Sequence, residues 1–384
     1  MKTEQIQLNP KSDFDKEIQK ITAIKPNFVM LFGAYVHFES TGLALKISEI
    51  FPNALVVGCS TAGEISNDGV FDDTMVVTGC RFNNPNFKPV WAEISDMEHS
   101  LEAGRDFAKK LEAKDLTAVF LVGRGLDING SALIEGIREV IDRKVVITGG
   151  LAGDGGRFQK TYTLLNGNVS SDRIVGFGIY GDEVQVAFGS VGGWEAFGPV
   201  RRVTKSKQNI LFELDGEPAL DIYKKYLGEK AKDLPASGLL YPFALLKNNQ
   251  DTTGIIRTIL AVDEKEKSVT FAGDIPVNGL VRLMHANNDR LINGAKEAAQ
   301  EAYKVVKNQD EKGLAVLISC VGRKLVMGND IEDELDVVRD TLGESMVAGF
   351  YSYGEICPQG EFSECKLHNQ TMTITYFSEK QKTP

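Results

Sequence analysis

The sequence predicts an α/β protein in which duplicated strand–helix–strand–glycine-loop units form layered sheets with flanking helices, in two tightly packed domains. Three observations point there. The octet Gly58-Cys59-Ser60-Thr61-Ala62-Gly63-Glu64-Ile65 returns as Gly349-Phe350-Tyr351-Ser352-Tyr353-Gly354-Glu355-Ile356, sharing the first glycine and the Gly-Glu-Ile ending. Each octet follows an apolar run, Ala54–Val57 or Met346–Ala348, so each sits where a buried strand opens into a loop. The order strand, helix, strand, glycine loop, strand also occurs three times along the chain.

The first unit runs from an apolar strand at Phe28–Phe32 through an amphipathic helix at Ser40–Ile50 to a strand at Leu55–Val57 and the octet. Gly69, Asp72 and Asp73 supply turn signals before a strand at Thr74–Cys80. The second unit places strands at Ala118–Val122, Val145–Thr148 and Ile174–Tyr180 around a helix at Asn129–Val140. Its loop is Gly149-Gly150-Leu151-Ala152-Gly153-Asp154, where Ala152-Gly153-Asp154 matches Ala62-Gly63-Glu64 in type. The third unit has strands at Leu314–Ser319, Val347–Phe350 and Thr371–Tyr376 and a helix at Ile331–Thr341.

A different region lies between. Asp215-Gly216 is a tight turn, and Glu217–Leu227 reads as a helix with Pro218 in its first turn and Gly228 past its end. Leu239–Leu246 and Ile255–Val262 read as strands paired around a polar turn at Asn248–Thr253, followed by strands at Val269–Ala272 and Gly279–Met284 and a long Ala-rich helix at Asn287–Val306. The domain boundary falls near Asp215–Leu220. No Pro/Gly/Ser linker marks it, so the halves are expected to pack rather than swing.

Composition narrows the function classes. A chain of 384 residues with 42% hydrophobic and 25% charged residues has enough material for a sizeable core. A net charge of −10 and the lack of a basic patch argue against nucleic acid and anionic membrane as partners. No apolar run reaches membrane-spanning length, and polar Met1–Pro26 lacks a signal-peptide core, which predicts a cytoplasmic protein. Five scattered cysteines at 59, 80, 320, 357 and 365 predict reduced thiols.

The candidate ligand-binding residues cluster on these loops. Cys59, Ser60 and Thr61 offer a thiol and two hydroxyls, loop N–H groups could cradle an anion, and Glu64 could accept from an amine or cap its own turn. Asp154 and Glu355 occupy related positions in the other loops. Tyr351 and Tyr353 share a face and could line an apolar pocket with phenol tips, or belong to a core cluster. Arg323 could clamp a carboxylate, or pair with a nearby Asp or Glu. Asn369 lies in His368-Asn369-Gln370-Thr371, which opens the last strand; His368 could bond a ligand, bind haem iron, or satisfy the turn. No phosphate-loop or dinucleotide fingerprint is present, and the four histidines show no metal-ligand spacing. Cys59 has no local histidine to act as a base.

These residues resemble the FIST family, sensory modules of bacterial signal transduction and of certain F-box proteins. The first octet and Gly149–Asp154 look like signatures of its N-terminal domain, and Leu214–Leu220 resembles the junction between domains. Ser319-Cys320-Val321-Gly322-Arg323, the second octet and His368–Thr371 look like signatures of its C-terminal domain. The resemblance implies a FIST N-like domain over residues 1–218 and a FIST C-like domain over 219–384. It implies a sensor of small ligands, amino acids among those proposed. Some members bind haem, sense nitric oxide and regulate a histidine kinase. With no segment left over for a kinase or cyclase, this chain is expected to signal in trans, to a histidine kinase or another signalling protein. Any haem would be non-covalent, since Cys-x-x-Cys-His is absent. The alternatives are a haem-based nitric-oxide sensor, with His368 as candidate ligand, and an enzyme using Cys59 or the Tyr351/Tyr353 pair.

Overall fold

The structure, a computed structural model, describes residues 1–39, 42–111, 114–248, 252–304, 312–358 and 365–380. Three of its sheets share one plan. In the first, the order is Lys2–Leu8, Met75–Arg81, Phe28–Gly33, Leu55–Ser60, then a hairpin of Thr163–Leu165 and Asn168–Ser170. In the second it is Phe87–Glu93, Arg173–Tyr180, Leu116–Gly123, Val146–Leu151, then the hairpin Gly354–Pro358 and Cys365–His368. In the third it is Val184–Val191, Met372–Glu379, Leu314–Cys320, Met346–Ser352, then the hairpin Glu64–Ser66 and Gly69–Phe71. The middle of each sheet is a parallel pair joined through a helical crossover, as parallel strands require.

The hairpins are exchanged. The one that follows the first unit's parallel pair edges the third sheet; the third unit's edges the second sheet; the second unit's edges the first. The three units therefore close as a ring, and each glycine loop is a crossing from one sheet to another.

Strand periodicity explains how the ring packs. Phe28, Met30 and Phe32 point into a core shared by all three sheets, with Ala118, Phe120 and Val122 and with Leu314, Val316 and Ile318. The alternate residues point outward under helices: Val29 and Leu31, Val119 and Leu121, Ala315 and Leu317. Burial on both faces is why these strands read as unbroken apolar runs. Aromatic rings join every pair of units: Phe28 and Phe177 lie 5.2 Å apart, Phe120 and Phe377 6.0 Å, and Phe32 and Phe350 4.8 Å.

The fourth sheet has eight strands and joins Glu195–Lys207 and Ile210–Leu214 to Phe243–Leu246, Thr252–Arg257, Ile259–Asp263, Ser268–Phe271 and Leu280–His285, with Glu217–Pro218 at its side. Strands from both sides of Asp215–Leu220 thus share one sheet. It has its own core, including Val203, Leu214, Leu220, Tyr223, Phe243 and Phe271. In sequence it is an insertion within the third unit, between strand Val184–Val191 and helix Asn288–Lys304.

Several expected elements are corrected. The helix expected at Glu217 begins at Ala219, because Glu217 and Pro218 pair with Leu214 and Glu213. Leu239 and Leu240 end a short 3-10 turn before the strand at Phe243. The run Ile255–Val262 is two strands that separate at Thr258. Ser40 and the turn residues 249–251 lie outside the described residues, as do residues 305–311 beyond helix Asn288–Lys304. No helix among the described residues is long and apolar enough to cross a membrane.

Candidate functional site

The three crossings meet near the centre of the ring, where the sequence placed its candidates. Gly58, Gly149 and Gly349 sit at the same step of their parallel pairs, opposite Leu31, Leu121 and Leu317. A Cβ at these glycines would lie 2.0, 1.8 and 1.9 Å from those leucine carbonyl oxygens, which excludes any side chain. Beyond them the segments bond one another. Ala62 N donates to Tyr351 O and Tyr351 N to Gly63 O, both at 2.8 Å. Gly153 N donates to Ser60 O and Gly155 N to Thr61 O, both at 2.9 Å, and Tyr353 N donates to Leu151 O at 3.1 Å. The backbone donors expected to cradle a ligand are spent inside the protein, these five on neighbouring crossings and others, such as Thr61 N on Gly33 O and Ala152 N on Gly123 O, within their own unit.

The side chains follow suit. Ser60 Oγ donates to Gly153 O at 2.7 Å and accepts from Tyr162 N at 2.8 Å. Thr61 Oγ1 donates to Glu64 Oε1 at 2.5 Å, and Glu64 Oε2 accepts from Thr74 N at 3.0 Å and Thr74 Oγ1 at 2.9 Å. The third unit repeats this: Ser352 Oγ donates to Glu355 Oε1 at 2.6 Å, and Glu355 Oε2 accepts from Thr371 N at 3.3 Å. Each Gly-Glu therefore pins its crossing to the head of the following strand. Burial pushes the Glu64 carboxyl up to about 7 and that of Glu355 up to about 8.

In the second unit Asp154 plays a different part. Its carboxylate accepts from the N–H groups of Phe158, Gln159 and Lys160 at 2.9, 2.7 and 2.9 Å, and from the Tyr353 hydroxyl. Burial works to raise its pKa, but the Tyr353 bond and these N–H groups outweigh it and hold the carboxyl below its usual value. Tyr353 stacks on Phe158 at 4.5 Å, and Phe158 is 53% exposed.

Of the ten expected ligand-binding residues, Tyr353 alone is not fully buried; Cys59, Ser60, Thr61, Glu64, Asp154, Arg323, Tyr351, Glu355 and Asn369 are enclosed. Cys59 packs into the shared core, where burial pushes its thiol well up and leaves no available thiolate. Tyr351 is buried in the core under the outer helices of the third sheet and donates to Glu334 Oε2 at 3.2 Å. Arg323 takes the structural alternative. Its Nε donates to Glu334 Oε1 at 2.9 Å, Nη2 donates to Glu334 and to Leu291 O at 2.8 Å, and Nη1 donates to Gly192 O at 2.5 Å. No carboxylate from a ligand can reach a guanidinium so enclosed. The next residue, Lys324, was overlooked in the sequence: it turns the other way, donating to Ala62 O at 3.1 Å and pairing with Asp72.

His368 does not fit the haem reading. Its Nε2 is bonded to Cys357 O at 2.9 Å, the ring is buried, and burial pulls its pKa down to about 4. Its Nδ1 and Asn369 Oδ1 are enclosed with no partner among the described residues. No group of three or more His, Cys, Asp or Glu among the described residues could hold a metal ion.

A cleft of about 650 Å³ opens elsewhere. It lies between helix Gly130–Arg138 of the second unit, the exchanged strand Cys365–His368, and strand Thr252–Arg257 of the inserted sheet. Ser131, Ile134, Arg257, Asp274 and Leu367 are among its walls. None of the expected residues lines it. The one sequence signal was Arg257 within the apolar run Ile255–Val262.

Comparisons with known proteins come down on the family. The FIST N domain model matches residues 27–217 and the FIST C domain model residues 219–358. An uncharacterised protein of Methanocaldococcus jannaschii is 24% identical over 340 residues, covering 78% of this chain; the chain spans 64% of that relative's length. The crystal structure of a cyanuric acid hydrolase from A. caulinodans is similar with a TM-score of 0.37 at 8% identity, covering 99% of each chain. With both domain models matched in order, the chain belongs to the FIST family.

Proposed function

We propose that this chain is a cytoplasmic small-ligand sensor that acts in trans on a signalling partner such as a histidine kinase, and that its ligand sits in the cleft beside helix Gly130–Arg138. FIST domains are associated with sensing small ligands in signal transduction. The observation that carries the reading is the position of the cleft: one wall belongs to the three-unit ring and the other to the inserted sheet. Its volume suits a small molecule, for which sites of roughly 300–1,000 Å³ are usual. A ligand touching both walls changes how the bodies pack if it binds the two arrangements with different affinity. The enclosed crossings supply the rigid frame. The enclosed ring of His368 lends the haem alternative no support.

The test is calorimetry and thermal melting of the full chain against a panel of amino acids and other small metabolites, repeated with Ile134→Trp to fill the cleft. A ligand that binds the parent and is lost from the filled variant supports the reading. A ligand that binds both equally places the site elsewhere and sinks it.

A further inference from the structure

Two arginines of this chain are almost completely buried, and they are treated differently. Arg323 has a carboxylate, Glu334. Arg257, 4% exposed, forms no ion pair among the described residues. Its Nε donates to Asp274 O at 3.1 Å, and Nη1 donates to Leu367 O at 3.1 Å and Ile256 O at 3.3 Å. Nη2 has a single partner, the Ser131 hydroxyl at 3.4 Å, a long and weak bond. Both Arg257 and Ser131 wall the cleft.

A guanidinium removed from water is stable when an anion and enough acceptors meet it. Three neutral carbonyls take up the Nε and Nη1 donors of Arg257 and leave Nη2, beside Ser131, under-used. The nearest carboxylate, Asp274, favours the charged guanidinium through space but makes no ion pair with it, its Oδ1 accepting from Asn129 Nδ2 at 3.1 Å. Two glutamates also line the cleft, and Glu139 is taken by Arg105 on the exposed side. The backbone of Gly273 lies close to the guanidinium, since a Cβ there would come within 2.9 Å of Arg257 Cζ. Ser131 stands in the first turn of its helix, where an anion is electrostatically favoured.

The geometry points to an oxyanion position in this cleft: Arg257 Nη2 and the Ser131 hydroxyl together hold the carboxylate or phosphate group of a small anionic ligand. This assignment rests on the reading of the cleft as the ligand site. It gives the anion a bond to the inserted sheet through Arg257 and a bond to the ring through Ser131, so an anion bridges the two bodies.

The experiment titrates the full chain with sodium phosphate and, separately, sodium acetate, by calorimetry and thermal melting, with sodium chloride at matched ionic strength as control. One or both anions should raise the melting temperature beyond chloride, and the stronger one tells a phosphate from a carboxylate ligand. Ser131→Ala should weaken that binding by about tenfold, and Arg257→Lys, which keeps the charge but loses the planar fork, should weaken it further. If Arg257→Lys does not fold, Ser131→Ala decides alone. Equal binding by parent and Ser131→Ala, or no effect beyond chloride, overturns the oxyanion position. A neutral ligand lost on Ile134→Trp would then leave the sensor reading standing, so the two ideas fail separately.

Discussion

Arg323 and Glu334 form a buried ion pair in which the guanidinium also reaches two backbone carbonyls, those of Gly192 and Leu291. Glu334 accepts in addition from Ser319 Oγ and Tyr351 OH, both on the parallel pair of the third sheet. The pair ties helix Ile331–Leu342 to helix Asn288–Lys304 and to the strands beneath.

Removing one partner leaves a buried, uncompensated charge. Arg323→Ala should therefore destabilise the chain by about 3–5 kcal/mol. Denaturant melts of parent and variant check this. A loss under about 1 kcal/mol would show that the pair carries little.

Glu355 predicts a pH dependence. Its folded pKa is raised to about 8, so the folded chain keeps a proton that the unfolded chain releases nearer 4.5. The stabilisation this gives is full below the unfolded pKa and is lost as pH rises through about 8. Glu355→Gln, which cannot titrate, should therefore gain on the parent steadily between those pH values. Parallel stability–pH curves for the two proteins would contradict the shift. Glu64, raised to about 7, should behave alike with its upper limit correspondingly lower.

The crossing glycines should be intolerant. In Gly349→Ala the new Cβ would meet Leu317 O at 1.9 Å, a backbone atom that cannot move aside. A loss of about 3 kcal/mol or more is expected, with Gly58→Ala and Gly149→Ala comparable. Gly156→Ala is the contrast: nothing lies within 4 Å of its Cβ position, and only its φ of 79° is strained. It should cost about 1–2 kcal/mol. Thermal melting of the four variants orders them.

Tyr353→Phe keeps the stack on Phe158 and removes one oxygen. That oxygen donates to Asp154 and accepts from Gly156 N at 3.0 Å. The expected loss is about 1–2 kcal/mol. Hydrogen exchange at the amides of Phe158, Gln159 and Lys160, which point at Asp154, should quicken. Unchanged exchange there would show that Asp154 holds the loop without help from the tyrosine.

Much of the frame was legible in the chain. Phe28–Phe32, Ala118–Val122 and Leu314–Ile318 announce doubly buried strands by their unbroken apolar runs. The helix expected at Asn129–Val140 starts there because the Asn129 side chain caps it, accepting from Ala132 N. The edge strand Lys2–Leu8 and the short exchanged hairpins were not legible: the former is polar on one face, and the latter have few residues from which to read a period.

By itself the sequence determined the three repeated units and the glycines that open each crossing, because strand period, helix caps and the space beside a Cα act over a few neighbouring residues. Only the tertiary structure decided which sheet each hairpin joins, that loop N–H groups bond other loops, that Arg323 meets Glu334, and that Arg257 walls a cleft with no ion-pair partner among the described residues. Each of these depends on segments far apart in sequence coming to the same place, and a residue's own type does not say which partner that will be.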